Sequence, residues 1–441
     1  MITGLSYGFH DAAKTIIDLK GNIIYAGHAE RYSRLKNDKC LHPDMPENQG
    51  VVVYYEKPLL KNTRRFYSGQ KLKWNEWRSK SFHHHWSHAA GSYYTRPFED
   101  EPVCVVIDAI GEWDTCSIWY KKKKVWSQKY PYSLGLFYSA ITQRIGLKPQ
   151  EDEYITMGMA AFGEPIYDLE YLLDTNLHKG CGNILPNARN EDIASSAQWL
   201  IEKKIIQIMQ KARQYSRSLC YGGGVALNCV ANTKITYLFD NIWIMPNPGD
   251  AGASLGAAAA YLDKPLKWRD VYLGNNIDVN VSPSQVAGHI LRHNISGVAH
   301  GPAEFGPRAL GNRSLLADPR RDIKDTVNKI KNRQKFRPFA PAILEEFADE
   351  YFEGPMNEYM QFVSQAKHDM SSVTHVDGSA RVQVVKKTCR SILRPILEEW
   401  YNRTGCPMLL NTSLNIKGMP IVNTHNDGIE FEKKYGVKVY G

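Results

Sequence analysis

Two histidines in the stretch SFHHHWSHAAG (81–91) have the spacing of a metal-binding pair. His84 and His88 are four residues apart, so on a helix both side chains share one face and can bind one ion. The glutamate of an HExxH motif is absent from this stretch, which excludes a zinc protease of that type. The alternative is that these histidines are solvated neighbours of the basic segment that precedes them.

A two-histidine site needs further ligands, and two aspartates follow apolar, strand-like runs. Asp108 ends VCVVID and Asp250 lies in NPGDAG, so both are expected at the carboxyl end of a strand, where α/β sheets border a ligand crevice. Aspartate also caps turns and helices, and that interpretation remains open for both residues. His10, beside Asp11, can accept a proton near pH 7 but could equally be a polar cap.

The elements that would position these side chains occur twice. Residues 1–30 and 103–129 each predict a strand, a polar loop, a strand, a tight turn and another strand, which indicates an internal duplication. Two glycine-rich junctions, GGGVALN (222–228) and GDAGASLGAA (249–258), place backbone N–H groups and a helix start where a phosphate could bind.

The chain is too long for one compact core, since it has 441 residues, of which 43% are hydrophobic and 23% charged. We expect a first domain over 1–270, a linker over 271–282 and a separate α/β domain over 283–441. No run of about 18 apolar residues and no signal-peptide pattern is present. The expected location is therefore the cytoplasm, or the host cytoplasm for a viral protein, with no membrane partner.

The second domain carries cationic side chains in stretches rich in glycine, proline and aromatic residues. Guanidinium groups in rigid turns bind phosphate or carboxylate in a bidentate manner. CPMLLNTSLN (406–415) ends in neutral hydrogen-bonding residues that suit a carbonyl or a phosphate, although an ordinary polar turn would look the same. The cationic residues are Arg308, Arg313, Lys335 and Arg337.

A basic, aromatic segment directly precedes the histidines. KNTRRFYSGQKLKWNEWRSK (61–80) has seven basic residues against one acid, with Phe, Tyr and two Trp interleaved. This mixture suits a phosphate backbone with bases stacked on aromatic rings, although a solvated basic loop has the same composition. The expected nucleic-acid contacts are Arg64, Arg65, Tyr67, Lys71, Lys73, Trp74 and Trp77.

Together the motifs resemble the O-carbamoyltransferases of the nodulation and antibiotic-tailoring type, in family order across nearly the whole chain. The matching stretches are HDAA (10–13), ERYSRLKND (30–38), HHWSHA (84–89), IDAIGEW (107–113), EYITMGMAAFG (153–163), GGGVALN (222–228), GDAGASLGAA (249–258), FGPRALGNRSLLADPR (305–320), FRPFAPAIL (336–344), HVDGSARVQ (375–383) and NTSLN (411–415).

The resemblance implies an α/β fold with a duplicated actin-like domain, similar to the tRNA-threonylcarbamoylation ATPases, followed by a domain similar to carbamoyl-adenylate synthases. The second domain would make carbamoyl adenylate from carbamoyl phosphate and ATP, with Mg²⁺ accompanying the ATP. The first domain would transfer the carbamoyl group to a hydroxyl.

The resemblance also implies roles for individual residues. His10 would face the acceptor hydroxyl. The metal ligands, with iron the most expected ion, would be His84, His88, Asp108 and Asp250. The adenylate contacts would be Gly223, Gly224, Asn228 and Gly252. The residues that hold carbamoyl phosphate and ATP would be Arg308, Arg313, Lys335, Arg337, Arg381, Ser413 and Asn415.

Members of this family act on sugars, on antibiotic cores and, in viral relatives, on hydroxymethylated pyrimidines in DNA. The basic segment favours DNA, because a small neutral sugar does not require its charge. The expected acceptor is therefore 5-hydroxymethylcytosine or its uracil analogue, flipped out or single-stranded, as in a phage DNA-modifying enzyme. The alternatives are a sugar or secondary-metabolite hydroxyl and, in another class, a non-catalytic nucleic-acid-binding protein.

Overall fold

The chain divides into two compact units. The structure, a computed structural model, describes residues 1–67, 69, 71–72 and 80–441. The first unit contains Met1–Ala26 and Lys39–Arg269, and the second contains Gly27–Asp38 and Asp270–Gly441. Residues 271–282, expected to be a linker, belong to the second unit and include a strand, Tyr272–Ile277.

The segment Gly27–Asp38 joins the second unit through two arginines on or beside the short helix α1 (Glu30–Ser33). Nη2 of Arg31 donates to the carbonyl of Gly306 at 2.9 Å. Arg34 donates to the carbonyls of Ile421 at 2.7 Å and Pro420 at 3.1 Å. These bonds attach an early part of the chain to a unit built mainly from its second half.

The first unit begins with a four-stranded sheet ordered β3-β2-β1-β4. Its strands are β1 (Ile2–Ser6), β2 (Ala13–Ile17), β3 (Ile23–His28) and β4 (Val51–Tyr54). Strand β1 pairs antiparallel with β2 and parallel with β4. His10 and Asp11 lie in the loop between β1 and β2.

The second sheet of this unit repeats the first and adds one strand, in the order β7-β6-β5-β8-β9. Its strands are β5 (Val103–Ile107), β6 (Asp114–Tyr120), β7 (Lys123–Lys129), β8 (Ser218–Gly222) and β9 (Asn241–Ile244). Strand β5 pairs antiparallel with β6 and parallel with β8, as β1 does with β2 and β4. The expected duplication within an α/β domain is therefore confirmed, and its actin-like character remains a prediction.

Two helices bring the loops of both sheets together. Helix α3 packs on strands β5 and β8, helix α8 packs on β1 and β2, and the two helices contact each other. Their backbones approach so closely that a Cβ at Gly256 would lie 1.7 Å from the carbonyl oxygen of Ser87. The helices of this unit are α2 (Pro58–Tyr67), α3 (His84–Thr95), α4 (Leu134–Arg144), α5 (Glu153–Met159), α6 (Asn190–Arg213), α7 (Cys229–Thr233) and α8 (Ala253–Leu262).

The second unit is the expected α/β domain. A six-stranded mixed sheet, ordered β18-β14-β19-β13-β11-β20, carries a core that includes the fully buried Trp400. Its helices are α9 (Pro283–His293), α10 (Lys324–Ile330), α11 (Ala348–Tyr351), α12 (Leu393–Thr404) and α13 (His425–Tyr435). Its strands are β10 (Tyr272–Ile277), β11 (Ile295–Ala299), β12 (Gly301–Glu304), β13 (Arg313–Ala317), β14 (Ala340–Leu344), β15 (Phe352–Glu353), β16 (Ser364–Ala366), β17 (Ser379–Ala380), β18 (Gln383–Val385), β19 (Met408–Ser413) and β20 (Val439–Tyr440).

Across the residues that the structure describes, no helix combines the length and the apolar character needed to cross a bilayer.

Candidate active site

The paired histidines lie on the first turns of helix α3, as their spacing predicts. The helix begins at His84, after His83 in extended conformation. His84 and His88 are both buried, and their Nε2 atoms lie 3.0 Å apart. The two imidazoles therefore point into one small volume rather than into solvent.

Two distant aspartates complete this cluster. Oδ2 of Asp108, directly after strand β5, lies 3.0 Å from Nε2 of His84 and 3.3 Å from Nε2 of His88. Oδ1 of Asp250, in the loop after β9, lies 3.2 Å from Nε2 of His88 and 3.4 Å from Nε2 of His84. All four residues are buried, and the four ligand atoms lie within 4.8 Å of one another.

This donor set fits a divalent cation. Nδ1 of His88 lies 2.9 Å from the carbonyl of Pro248 and donates to it, which leaves the lone pair on Nε2 directed into the cluster. Oδ1 of Asp108 accepts from the backbone N–H groups of Ala109 at 2.8 Å and Gly224 at 3.3 Å, so Oδ2 is held toward the histidines. Two imidazoles and two carboxylates are ligands that iron, zinc and similar ions accept.

The electrostatics of the cluster point the same way. Burial alone would lower the pKa of His84, but the negative charges of Asp250, Asp108 and Glu56 outweigh burial and hold that pKa well above its usual value. Burial alone would raise the pKa of Asp108, but its hydrogen bonds with His84 and His88 hold that pKa well below its usual value. The site therefore favours positive charge between two ionised carboxylates.

His10 lies at the edge of the cluster. Its Nε2 is 3.8 Å from Oδ2 of Asp250, and its Nδ1 is 2.9 Å from Oδ2 of Asp11. Burial lowers the pKa of His10, but the hydrogen bond with Asp11 and the charges of Asp250 and Asp108 raise it to about 9. The ring of Phe9 packs against the imidazole, with centroids 4.6 Å apart.

Two buried glutamates behind the cluster have no counterpart among the expected site residues. Oε2 of Glu56 lies 3.8 Å from Nδ1 of His84, and Oε1 forms a buried ion pair with Lys61. Oε1 of Glu112 accepts from the backbone N–H groups of His84 at 3.0 Å and Lys57 at 2.8 Å. Neither glutamate has a sequence spacing that links it to the histidines, so only the fold reveals the relationship.

The glycines expected to contact adenylate have clear structural roles beside the cluster. Gly223 has φ +90°, and a Cβ there would lie 2.2 Å from the carbonyl oxygen of Ile107. Its N–H donates to the carbonyl of Pro248 at 2.9 Å. A Cβ at Gly252 would lie 1.7 Å from the carbonyl oxygen of Asn247. These close approaches require glycine with or without an adenylate.

Asn228, also expected to contact adenylate, has its side chain engaged within the protein. Its Oδ1 accepts from the backbone N–H of Ala231 at 3.0 Å, which caps helix α7. Its Nδ2 donates to Oε1 of Gln198 at 3.0 Å. Together with the N–H of Gly224 on Asp108, these contacts hold the loops around the site, and adenylate binding by the four residues remains a prediction.

The basic segment is oriented differently from the expectation. Arg64 and Arg65 are only 3% and 5% exposed, and Nε of Arg64 donates to the carbonyl of Glu112 at 3.1 Å. The expectation that Arg64 and Arg65 face a phosphate backbone is therefore wrong. Both side chains lie on the buried face of helix α2, which points toward the cluster. Tyr67 is 77% exposed and packs edge-on against Trp113, and Lys71 is exposed. The remaining expected contacts, Lys73, Trp74 and Trp77, lie outside the described residues.

In the second unit, two of the expected residues meet at a lysine that the sequence did not single out. Nζ of Lys331, buried after helix α10, donates to Oδ1 of Asn415 at 3.0 Å and to Oγ of Ser413 at 3.3 Å. The carbonyl oxygens of Asn415, at 2.9 Å, and of Ser413 also lie within hydrogen-bond distance of Nζ, so the four acceptors share its N–H groups. Burial and the charges of Arg333 and Arg337 hold the pKa of Lys331 well below its usual value.

The expected cationic residues of this unit do not form one uniform group. Arg313 is fully buried, and its Nη atoms donate to the carbonyls of residues 275, 300, 301, 312 and 423 at 2.8–3.3 Å. Lys335 is exposed and lies 3.7 Å from Asp325. Arg308, Arg337 and Arg381 are half-buried. The geometry gives Arg313 a structural role, and ligand binding by the group remains a prediction.

Sequence comparisons identify relatives over both units. Residues 54–182 and 174–259 match the family described as Carbamoyltransferase N-terminus, and residues 287–440 match Carbamoyltransferase C-terminus. An uncharacterized protein of Synechocystis sp. is 30% identical over 97% of this chain and 93% of its own length. Nodulation protein NolO of Bradyrhizobium diazoefficiens is 32% identical over 78% of this chain and 75% of its own length.

A solved structure, the activator of the 2-hydroxyisocaproyl-CoA dehydratase from Clostridium difficile, is similar over 59% of this chain and 94% of its own, with a TM-score of 0.38 and 15% identity.

Proposed function

This chain belongs to the carbamoyltransferase family, and we propose that it transfers a carbamoyl group to a hydroxyl oxygen at the cluster of His84, His88, Asp108 and Asp250. The observation that carries the proposal is the convergence of four buried ligand atoms within 4.8 Å, with Nε2 of His10 at 3.8 Å from the other carboxylate oxygen of Asp250, Oδ2.

The acceptor hydroxyl must lose its proton, because an alcohol is a weak nucleophile. We assign this role to His10, and the support is that Nδ1 is held by Asp11 and Nε2 faces Asp250 of the cluster. Two of the carboxylates that raise its pKa, Asp250 and Asp108, belong to the cluster. A divalent cation held by the cluster would compensate part of their charge and would lower the pKa of His10 toward the range in which a neutral imidazole serves as base.

The cation that the cluster holds, with iron the family's expected ion, would stabilise negative charge on the carbamoyl carbonyl and on the departing phosphate. Asp108 is oriented for this purpose by the backbone of Ala109 and Gly224, and His88 by the carbonyl of Pro248. These contacts keep the ligands in place before the substrate arrives, which lowers the reorganisation that binding requires.

We assign formation of carbamoyl adenylate to the second unit. Carbamoyl phosphate, ATP and water would yield carbamoyl adenylate, phosphate and pyrophosphate, with Mg²⁺ bound to the ATP. In the transfer step the acceptor oxygen bonds to the carbamoyl carbon, the carbon–oxygen bond to AMP breaks, and AMP leaves. The contact of Lys331 with Ser413 and Asn415 supports this assignment, because it places a buried amine donor among the residues expected to hold the phosphates.

For the acceptor we propose the 5-hydroxymethyl group of a modified pyrimidine in DNA. The support is the net charge of +9 and the exposed aromatic end of helix α2, where Phe66 and Tyr67 are exposed and Tyr67 packs against Trp113. Exposed rings can stack on a base that has left the helix. The burial of Arg64 and Arg65 restricts the expected phosphate contacts to the rest of the segment.

The test is a transfer assay with the full chain, carbamoyl phosphate, ATP, Mg²⁺ and Fe²⁺. One arm contains DNA with 5-hydroxymethylcytosine and the other a panel of free sugars and nucleosides, and mass spectrometry detects the added carbamoyl group. Carbamoylated DNA supports the proposed acceptor. Carbamoylation of a sugar without modification of the DNA overturns it and leaves the transferase activity established.

A pair of variants tests the division of labour. His84→Ala should abolish transfer but leave the carbamoyl-phosphate-dependent release of pyrophosphate from ATP unchanged. His83→Ala is the matched control, because its side chain is half exposed and lies outside the cluster. Loss of both activities in a folded His84→Ala protein would contradict the assignment of adenylate formation to the second unit.

A further inference from the structure

We propose that Glu56 is a positioning residue for the metal site, acting through the ring of His84. The inference rests on the proposed function in one respect, that the cluster binds a divalent cation. It assigns a role to a buried carboxylate that touches neither the substrate nor the cation.

The geometry places Glu56 behind the ligand, on the side opposite the cluster. Nε2 of His84 faces Asp108 and His88, whereas Nδ1 is buried and makes no hydrogen bond within the described structure. Oε2 of Glu56 lies 3.8 Å from this Nδ1. A movement of about 1 Å would close the gap into a hydrogen bond.

A carboxylate in this position has a defined chemical effect. A proton on Nδ1 directed at Glu56 leaves the lone pair on Nε2, which is the tautomer that can bind a cation. The negative charge also makes the ring a stronger donor. Carboxylates placed behind metal-binding histidines act in this way and typically change metal affinity about 10–100-fold.

Helix α2 holds Glu56 in place. Oε1 of Glu56 forms a buried ion pair with Lys61, and the hydroxyl of Tyr54 lies 3.1 Å from the same oxygen. Oε1 is thereby anchored, and Oε2 is left toward His84. A buried ion pair contributes little net stability, because the cost of desolvation offsets the attraction. Net stability therefore does not explain why the Glu56–Lys61 ion pair lies beside His84, a ligand of the cluster.

The chain offers a matched control in Glu112, a second buried carboxylate beside His84. Its Oε1 accepts from the backbone N–H of His84 at 3.0 Å and does not face the ring. Glu112→Gln removes a buried negative charge at the start of the same helix. It does not change the contacts of the His84 imidazole. Its effect separates loss of charge from loss of the contact with Nδ1.

The experiment measures metal binding rather than turnover. The full chain is freed of metal with a chelator and titrated with Co²⁺, and both the dissociation constant and the visible absorption of the bound Co²⁺ are recorded. Glu56→Gln should weaken binding about 10–100-fold and change the absorption spectrum. Glu56→Asp, which keeps the charge at a greater distance, should recover part of the affinity. Glu112→Gln should bind with an affinity close to that of the wild type.

Wild-type affinity in both Glu56 variants, together with loss of binding in His84→Ala, would overturn the role of Glu56 while leaving the metal site intact. Equal losses in Glu56→Gln and Glu112→Gln would also overturn it, because the effect would then be one of charge alone. Wild-type Co²⁺ affinity in His84→Ala would instead show that the cluster is not the metal site, which would contradict the proposed function. If circular dichroism shows that Glu56→Gln is unfolded, Glu56→Asp decides the question by the same criteria.

Discussion

The Nε2 atoms of His84 and His88 lie 3.0 Å apart inside the protein. Nδ1 of His88 donates to Pro248, so a neutral His88 has a bare lone pair that faces the other ring. A proton on Nε2 of His84 has two acceptors at 3.0 Å, Nε2 of His88 and Oδ2 of Asp108. Because these groups lie so close together, the free energy of unfolding should depend on whether a cation is bound between them.

We therefore expect metal removal to destabilise the first unit. Adding Co²⁺ to the metal-free chain at about 100 times its dissociation constant should raise the unfolding free energy by about 2.7 kcal/mol, because the cation binds only the folded state. Thermal unfolding followed by circular dichroism measures this change. Asp250→Asn should lose most of the increase, whereas His83→Ala should retain it; equal stabilisation of wild type and Asp250→Asn would contradict the site.

Gly223→Ala should damage the same site through the backbone. The alanine Cβ would lie 2.2 Å from the carbonyl oxygen of Ile107, at φ +90°, so the loop must move, at a cost of about 1–3 kcal/mol. That loop donates to the carbonyl of Pro248, which also holds His88, so Co²⁺ affinity should fall with stability. Gly249→Ala, whose Cβ would meet no atom within 4 Å, should leave urea unfolding almost unchanged.

Lys331→Met should affect the second unit in both activity and stability. Its loss removes the donor to the Asn415 carbonyl and to the Ser413 hydroxyl oxygen, whereas Oδ1 of Asn415 keeps its bond from the Ser413 hydroxyl. We expect a cost of about 1–3 kcal/mol in urea unfolding. We also expect loss of carbamoyl-phosphate-dependent pyrophosphate release. Lys335→Met is the informative comparison, because its side chain is 84% exposed and lies 3.7 Å from Asp325, which is itself exposed. A larger defect in Lys335→Met than in Lys331→Met would show that the ligand site lies elsewhere.

The stability of the second unit should depend on pH through Glu346. Its hydrogen bonds with Arg394, at 2.7 and 3.0 Å, hold its pKa at about 2, below the usual 4.5. Because the folded-state pKa is depressed, the stabilisation is present above pH 4.5 and is lost as the pH falls toward 2. After allowance for solvent screening, Glu346→Gln should cost about 1 kcal/mol at pH 7.

The measurement compares urea unfolding of wild type and Glu346→Gln at pH 7 and at pH 3, where the difference should shrink. Glu399→Gln is the control, since its contact with Arg403 is a single exposed one at 3.4 Å and contributes little. A difference between wild type and Glu346→Gln that does not change with pH would contradict the proposed titration.

Much of the fold of the first unit, and the grouping of the residues in the cluster, could be predicted from local patterns in the sequence. The i, i+4 spacing of His84 and His88 required only a helix, and the two aspartates required only strands that end at a common edge. Glu56 and Lys331 could not be found in this way, because their partners lie on other elements and are set by tertiary packing. Arg64 and Arg65 show the reverse problem, since composition does not reveal which side of a helix is buried.

The attachment of residues 27–38 to the second unit has a consequence for how the protein is made. These residues leave the ribosome early, but Gly306, Pro420 and Ile421, to which Arg31 and Arg34 donate, follow only after residues 39–269 have been synthesised. At about 5–20 residues per second the segment waits on the order of ten seconds or more for its partners. No single cut of the gene can separate the two units, because a fragment that starts at Asp270 would lack both arginines.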